Sequence, residues 1–443
     1  MDYKYEVVAD SIRREIASGA YKAGAKLPSI KAMSRQLRYN ADTIIAAYKQ
    51  LEAQHLIYAV PKSGYYVMKQ GAADETEKSV LNLASLRLPD DINPYKDYYH
   101  CMEKAIGLYE KKLFDYAQPK GLAELTRCLV KHLTHFQIFT RQENIFITSG
   151  AQQALYILAG MPFGKGKTKV LTEQPTYAMM LQILQCTKTP IAGVRRSAAG
   201  LDLRELEAHF KEGDVKFFYT MPRYQNPTGF SYAKEQKQEI LRLAKKYDVY
   251  IVEDDYLADL ELDAKASSLY AMDAQAPVIY IKSFSKTLLP GLRLGMCIVP
   301  PALHAAFLTQ KNAIDLGTSI LTQGALEIYL KSSMYKFHVQ KTKKYYKTKM
   351  DEMRSACAAL SSERMHWHVP ESGIFLYAEL NGISAAMLEK KLALQGILVS
   401  TLASSYMNGA RQTEGLRLCV GNMKDISVLE CITREAGFLW EKK

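Results

Sequence analysis

The chain has 443 residues, of which 48% are apolar and 23% charged, an ordinary globular composition with room for two or more domains of about 100–200 residues each. A formal charge of +12 favours a polyanionic partner and says nothing about fold. Seven scattered cysteines (Cys101, Cys128, Cys186, Cys297, Cys357, Cys419 and Cys431) lack metal-ligand spacing, the opening "MDYKYEVVADSIRR" has no signal-like apolar core, and no run approaches the ~20 apolar residues of a bilayer span. The composition therefore argues against a zinc module and a membrane segment and predicts reduced thiols in a cytoplasmic protein.

Along the chain, Val8, Ile12 and Ile16 recur every fourth position, which predicts an amphipathic helix closing near Gly19 and Gly24. Pro28 and Ser29 read as the next helix start, with Ile30, Met33 and Leu37 as its apolar stripe. A third helix follows "RYNAD" with Ile44, Ala47, Tyr48 and Leu51 inward, and "LIYAVPKSGYYVM" predicts two short strands about a Pro-Lys-Ser-Gly turn. Three helices and a hairpin outline a winged helix-turn-helix, whose third helix enters the major groove. Residues 1–69 carry 11 Lys and Arg against 6 Asp and Glu, a balance that suits phosphate contact.

After Met68, residues 70–81 have no period and mix glycine, alanine and acids, which predicts a flexible linker. From residue 82 to 443, helix-like segments alternate with the apolar runs "NIFIT", "KVLTE", "VKFFYT", "VYIVEDD" and "VIYIKS". Such alternation predicts an α/β domain on a mostly parallel sheet. Ligands of these sheets sit at the carboxyl ends of the strands, so the residues following each run are the candidates for a site.

Four such ends carry chemistry. "TSGAQQAL" opens a helix after a strand and offers backbone N–H groups to an anion; "PRYQNPTG" ends a strand with Asn226; "VYIVEDDY" ends one in carboxylates; and "SFSKTLLPGLRLG" places Lys286 between hydroxyl residues and Arg293. Alone, each has an ordinary explanation as a turn or a solvated strand end. Together they supply what an aldehyde cofactor with a pyridine ring and a phosphate needs: an amine, a carboxylate for the ring nitrogen, and donors for the ring oxygen and the phosphate. Seven lysines from Lys331 to Lys349 alternate with Tyr335, Phe337, Tyr345 and Tyr346, which predicts a long helix with a solvated basic face more readily than a second DNA contact.

These stretches resemble known families. "AGAKLPSIKAMSRQL", "DTIIAAYKQLEAQHLI" and "PKSGYYV" resemble the GntR-type DNA-binding head. That resemblance implies operator DNA as a partner, with Lys26, Ser29 and Lys31 on phosphates and the start of the third helix, Asn40 to Thr43, facing base edges. Many members have an arginine where this chain has Asn40, Ala41 and Asp42, so the operator sequence stays open.

Residues 82–443 resemble the fold-type I aminotransferases, which bind pyridoxal 5'-phosphate. By that resemblance Lys286 forms the internal aldimine and Asp254 faces the ring nitrogen. Asn226 and Tyr256 bond the ring oxygen, and Tyr177 stacks on the ring. Gly150, Ala151, Gln152, Ser283, Ser285 and Arg293 hold the phosphate. Tyr116 reaches the phosphate of a second subunit, implying a homodimer, and Arg417 in "EGLRLCVGN" clamps the α-carboxylate of an amino acid. Ala151 stands where relatives often place a hydroxyl. A winged helix before such a body resembles the MocR-type regulators of the GntR family, in which an amine or amino acid is sensed through the aldimine. An active aminotransferase with an appended DNA-binding head is the alternative, and the retained Asn226 keeps transamination chemically open.

Overall fold

The computed structural model describes residues 4–22, 24–53, 56–60, 63–68, 80–85, 88–164, 166–263, 265–273, 277–410 and 412–441. The chain divides into two compact units, residues 1–79 and 80–443. Residues 70–79 of the expected linker lie outside the described residues, while its last residue, Leu81, belongs to a strand.

The first unit packs α1 (Lys4–Ala17), α2 (Ile30–Leu37) and α3 (Ala41–Ala53) with an antiparallel hairpin of β1 (Ile57–Val60) and β2 (Gly64–Val67). Its core is the stripe read from the sequence: Val8, Ile12, Met33, Ile44, Ala47, Tyr48 and Leu51 are all buried. Helix α3 starts at Ala41, inside "RYNAD", because the Asn40 carboxamide oxygen accepts from Thr43 N at 2.9 Å and caps it.

In the second unit the chain runs through β3 (Leu81–Asn82), α4 (Tyr95–Tyr109), α5 (Ala123–Leu133), β4 (Ile145–Thr148), α6 (Ala151–Gly160), β5 (Lys169–Gln174), α7 (Ala178–Cys186), β6 (Ile191–Ser197), β7 (Gly200–Leu201), α8 (Leu203–Lys211), β8 (Val215–Thr220), α9 (Lys234–Lys246), β9 (Tyr250–Asp254), α10 (Leu269–Met272), β10 (Val278–Ser283) and β11 (Gly295–Ile298). The strands form one eight-stranded sheet in the order β4-β11-β10-β9-β8-β5-β6-β7. Neighbours from β10 to β6 are parallel, while β11 runs antiparallel to both β10 and β4. Every residue of β8 and β10 is buried, which is why both read as continuous apolar runs: helices cover both faces of a parallel sheet.

Then follow α11 (His304–Ile314), α12 (Ile320–Lys331) and the 28-residue α13 (Ser333–Leu360). Helix α13 is the long helix expected of the lysine-rich stretch: Tyr335 and Tyr346 are buried, whereas Phe337 is exposed. The chain closes with β12 (Met365–His368), β13 (Phe375–Leu380), α14 (Ala385–Leu394), β14 (Ile397–Leu398), β15 (Ser400–Thr401), β16 (Gly415–Cys419) and α15 (Ser427–Glu441). Here β12-β13-β16-β15 make an antiparallel sheet, and β14 pairs in parallel with β3. Among the described residues no helix is long and apolar enough to cross a membrane.

Candidate functional site

The carboxyl ends of the central strands open on a cavity of about 370 Å³. It collects Ala151, Gln152, Tyr177, Asn226, Asp254, Tyr256, Ser283, Ser285, Lys286, Arg293 and Arg417 from seven separate segments of chain. It also takes in Ala84, Ser85 and Met221, which pattern reasoning did not single out. No local signal marks Ala84, a small residue after a two-residue strand. It enters because its carbonyl accepts from Arg417.

One end of the cavity is an anion cradle. Gly150 caps α6 with φ 81°, and a Cβ there would lie 2.9 Å from Arg293 Nη2. A side chain would displace the guanidinium from the helix N-terminus, so glycine lets Arg293 and the backbone N–H groups of α6 face the same space. Gly295 at the start of β11 fits the same crossing, since a Cβ there would meet Ala151 N at 2.8 Å. Ser283 Oγ accepts from Ser285 N at 3.3 Å, while the buried Ser285 Oγ has no partner among the described residues.

Asp254, the last residue of β9, also lines the cavity. Its Oδ2 accepts from Tyr219 OH at 2.9 Å, and its buried Oδ1 has no partner among the described residues. Burial pushes its carboxyl up to about 7, opposed by the Tyr219 hydrogen bond. Half-buried Lys286 follows β10, and its ammonium is pulled below the ordinary lysine range, first by burial and then by the Arg417 and Arg293 charges. Tyr177 OH accepts from Gln152 Nε2 at 3.1 Å. Tyr256 lines the cavity, but its hydroxyl donates to Tyr224 O at 2.6 Å.

Asn226 sits in a loop after β8 that a buried cluster fixes. Arg196 pairs with Glu173 and donates to Met221 O at 2.9 Å and Phe230 O at 2.7 Å. Gln225 Nε2 donates to Glu173 Oε2 at 3.2 Å and Pro175 O at 2.7 Å. A carboxylate with this many donors is a rigid anchor. Neither Glu173 nor Arg196 was legible as a site residue, because strand charges usually face solvent. Arg417 of β16 then donates to Asn226 Oδ1 and to Ala84 O, both at 2.9 Å, and its guanidinium lies 4.5 Å from the Phe375 ring.

Asp254 Oδ1 and Ser285 Oγ, unpartnered among the described residues, and the glycine-gated cradle and Lys286 of the same cavity fit pyridoxal phosphate, a group with an anionic end and a basic ring nitrogen. Tyr116 lies outside the cavity at 86% exposure. In the first unit Lys26 and Lys31 are exposed, Thr43 is half-buried, and the side chains of Ser29 and Asn40 are engaged as helix caps. Ser29 Oγ accepts from Ala32 N at 3.2 Å. These five residues belong to the other compact unit.

Residues 78–434 match the family described as aminotransferase class I and II, and residues 4–67 match the bacterial regulatory proteins of the gntR family. An uncharacterised HTH-type transcriptional regulator of Bacillus subtilis (strain 168), YcxD, is 40% identical over 428 residues, covering 95% of this chain and 96% of its own. The HTH-type transcriptional regulator NorG of Staphylococcus aureus (strain USA300) is 26% identical over 380 residues, 80% of this chain and 86% of that one. Among solved structures, the Pyrococcus horikoshii kynurenine aminotransferase in complex with PMP aligns with a TM-score of 0.75 at 26% identity, over 83% of this chain and 92% of that one.

Proposed function

Because the chain belongs to the MocR-type regulators, which join a gntR-family DNA-binding head to a class I aminotransferase domain, we propose that its cavity holds pyridoxal 5'-phosphate and registers a primary amine, so that the amine controls operator binding. The observation that carries this reading is the meeting of Lys286, Asp254 and the Gly150–Arg293 cradle in one cavity of a chain that also has a DNA-binding head. The cofactor, when bound, supplies an aldehyde carbon that condenses reversibly with a primary amine and a ring that withdraws electrons.

The chain's own residues then have distinct tasks. Arg293 and the α6 N-terminus would hold the phosphate, and Asp254 would hold the basic ring nitrogen. Burial and the Arg417 and Arg293 charges pull the Lys286 ammonium below the ordinary lysine range, which favours the neutral, nucleophilic amine more than an exposed lysine would. Arg417 supplies a cation whose present partners are an amide oxygen and a backbone carbonyl. It is free to exchange them for the carboxylate of an amino acid. Access to one ligand shifts DNA binding only through a difference in affinity between two arrangements of the protein.

Dimerisation is part of the proposal. Tyr99, Leu108, Phe114 and Tyr116 are 62%, 65%, 89% and 86% exposed, and apolar side chains this bare within one short segment favour coverage by a second copy. A cytoplasmic location follows from the need to reach DNA.

The test is spectral. Purified protein should carry a visible absorption band that borohydride bleaches while fixing the cofactor covalently to the chain, and Lys286→Ala should lose both the band and the fixation; cofactor still fixed by borohydride in Lys286→Ala overturns the assignment. An amine screen repeated with operator DNA then decides between sensing and catalysis. If reactive amines never alter DNA affinity, yet an amino acid and a 2-oxo acid turn over, the aminotransferase reading replaces this one.

A further inference from the structure

A second cavity, of about 520 Å³, lies beyond the loop that carries Asn226, between Arg223–Tyr232, Lys237 of α9 and the Trp367–Glu371 segment. Its unusual member is Lys237, 8% exposed, whose Nζ donates to Ser267 O at 3.0 Å and has no other hydrogen-bond partner among the described residues. Other buried lysines are accounted for. Lys282 pairs with Asp259 and Lys311 with Asp315, while Lys216, which like Lys237 donates to one backbone carbonyl, that of Ala159, lies against the Phe163 and Phe217 rings. Lys237 instead lines open space with donor capacity unspent: Glu253, Asp255 and Glu261 act on it only from a distance, none of them in ion-pair contact, and burying an ammonium without such a contact is costly. Its neighbouring cation is already satisfied: Arg223 is held by Asp255 and Glu261.

The walls are aromatic. Phe230 meets His368 edge-on at 5.1 Å, and the neighbouring Trp367, whose ring belongs to the main core, borders the cavity. Three carboxylates also border the cavity. Glu261 is occupied by Arg223 and by the Tyr224 hydroxyl at 3.2 Å, and Asp263 and Glu371 are exposed. Water and salt screen those two acids, whereas the Lys237 charge is shielded from both, so the buried cation governs the ligand's sign.

We propose that this cavity is a second small-molecule site, for a small aromatic carboxylate whose anionic end sits on Lys237 Nζ and whose ring packs against Phe230 and His368, with Trp367 at the cavity's border. The inference is independent of what the first cavity binds.

The chain has two tryptophans, Trp367 and Trp440, so the full-length Trp440→Phe protein reports on this cavity by fluorescence. Titrated with benzoate, it should show a saturable change in Trp367 emission. Lys237→Met should weaken that binding on the order of tenfold or more, ~1.4 kcal/mol, and Phe230→Ala, at a half-exposed ring, provides a second variant should the first fail to fold. Benzyl alcohol, which lacks the carboxylate, should not saturate over the same range. Arg417→Ala should leave benzoate binding in place. The proposal is overturned if benzoate produces no saturable change, if neither Lys237→Met nor Phe230→Ala weakens it, or if Arg417→Ala alone abolishes it, which would put the carboxylate in the first cavity.

Discussion

Arg417 Nη1 donates to Asn226 Oδ1 at 2.9 Å across 191 residues of sequence. No carboxylate neutralises this guanidinium among the described residues, since its other acceptor is the Ala84 carbonyl at 2.9 Å and its buried Nε has none. A cation kept in this state invites an anion. Arg417→Ala should weaken binding of amines that carry an α-carboxylate by about 2 kcal/mol, or ~30-fold, and leave simple alkylamines unchanged. Arg417→Lys should not restore the loss, because a single ammonium cannot bridge Asn226 and Ala84 while holding a carboxylate. Spectral titration measures both, and equal weakening of the two amine classes would refute the carboxylate role.

Asp254 gives the cofactor-free protein a defined pH response. Burial lifts its carboxyl from an ordinary value near 3.8 to about 7. Between those values the folded state binds more protons than the unfolded one, so stability falls as pH rises through that window. Glu253, also raised by burial, contributes a slope of the same sign. The measurement is therefore the difference in Tm against pH between wild type and Asp254→Asn, which should show the shallower fall. Added pyridoxal phosphate should stabilise the wild type more than the variant at the upper end of the window.

Gly150→Ala tests the cradle. The residue sits at φ 81° and ψ 168° with Arg293 Nη2 2.9 Å from the added methyl, so the substitution adds about 1–3 kcal/mol of backbone strain and pushes the guanidinium away. Retention of pyridoxal phosphate on dialysis should fall, while the fold, read by circular dichroism, persists. Unchanged retention would place the phosphate elsewhere.

In the head, caps and contacts separate experimentally. Ser29→Ala removes the acceptor for Ala32 N and should destabilise the head by about 1 kcal/mol. Exposed Lys31 caps nothing. Lys31→Ala should leave stability alone, weaken binding to all DNA sequences, and reduce the slope of log affinity against log salt by about one. Asn40→Ala should do both kinds of damage, losing the α3 cap seen at Thr43 N and altering base preference.

The sequence by itself determined the elements and named most of the residues that meet in the first cavity. Periods of 3.6 and runs of buried strand are local consequences of which face water cannot reach, so Ile44, Ala47, Tyr48 and Leu51 announced α3, and "VKFFYT" and "VIYIKS" announced β8 and β10. The lysine, carboxylate and glycine turns were legible because parallel strands deliver their carboxyl ends to one edge. Only the tertiary structure decided which acceptors Arg417 holds, that Glu173 and Arg196 anchor the Asn226 loop, that Ser29 and Asn40 are spent on caps, and that Lys237 faces space instead of a counter-ion. Each of these depends on the partner that a polar side chain finds when it is buried. That partner comes from wherever the folded chain crosses, a choice that neither residue type nor spacing encodes locally.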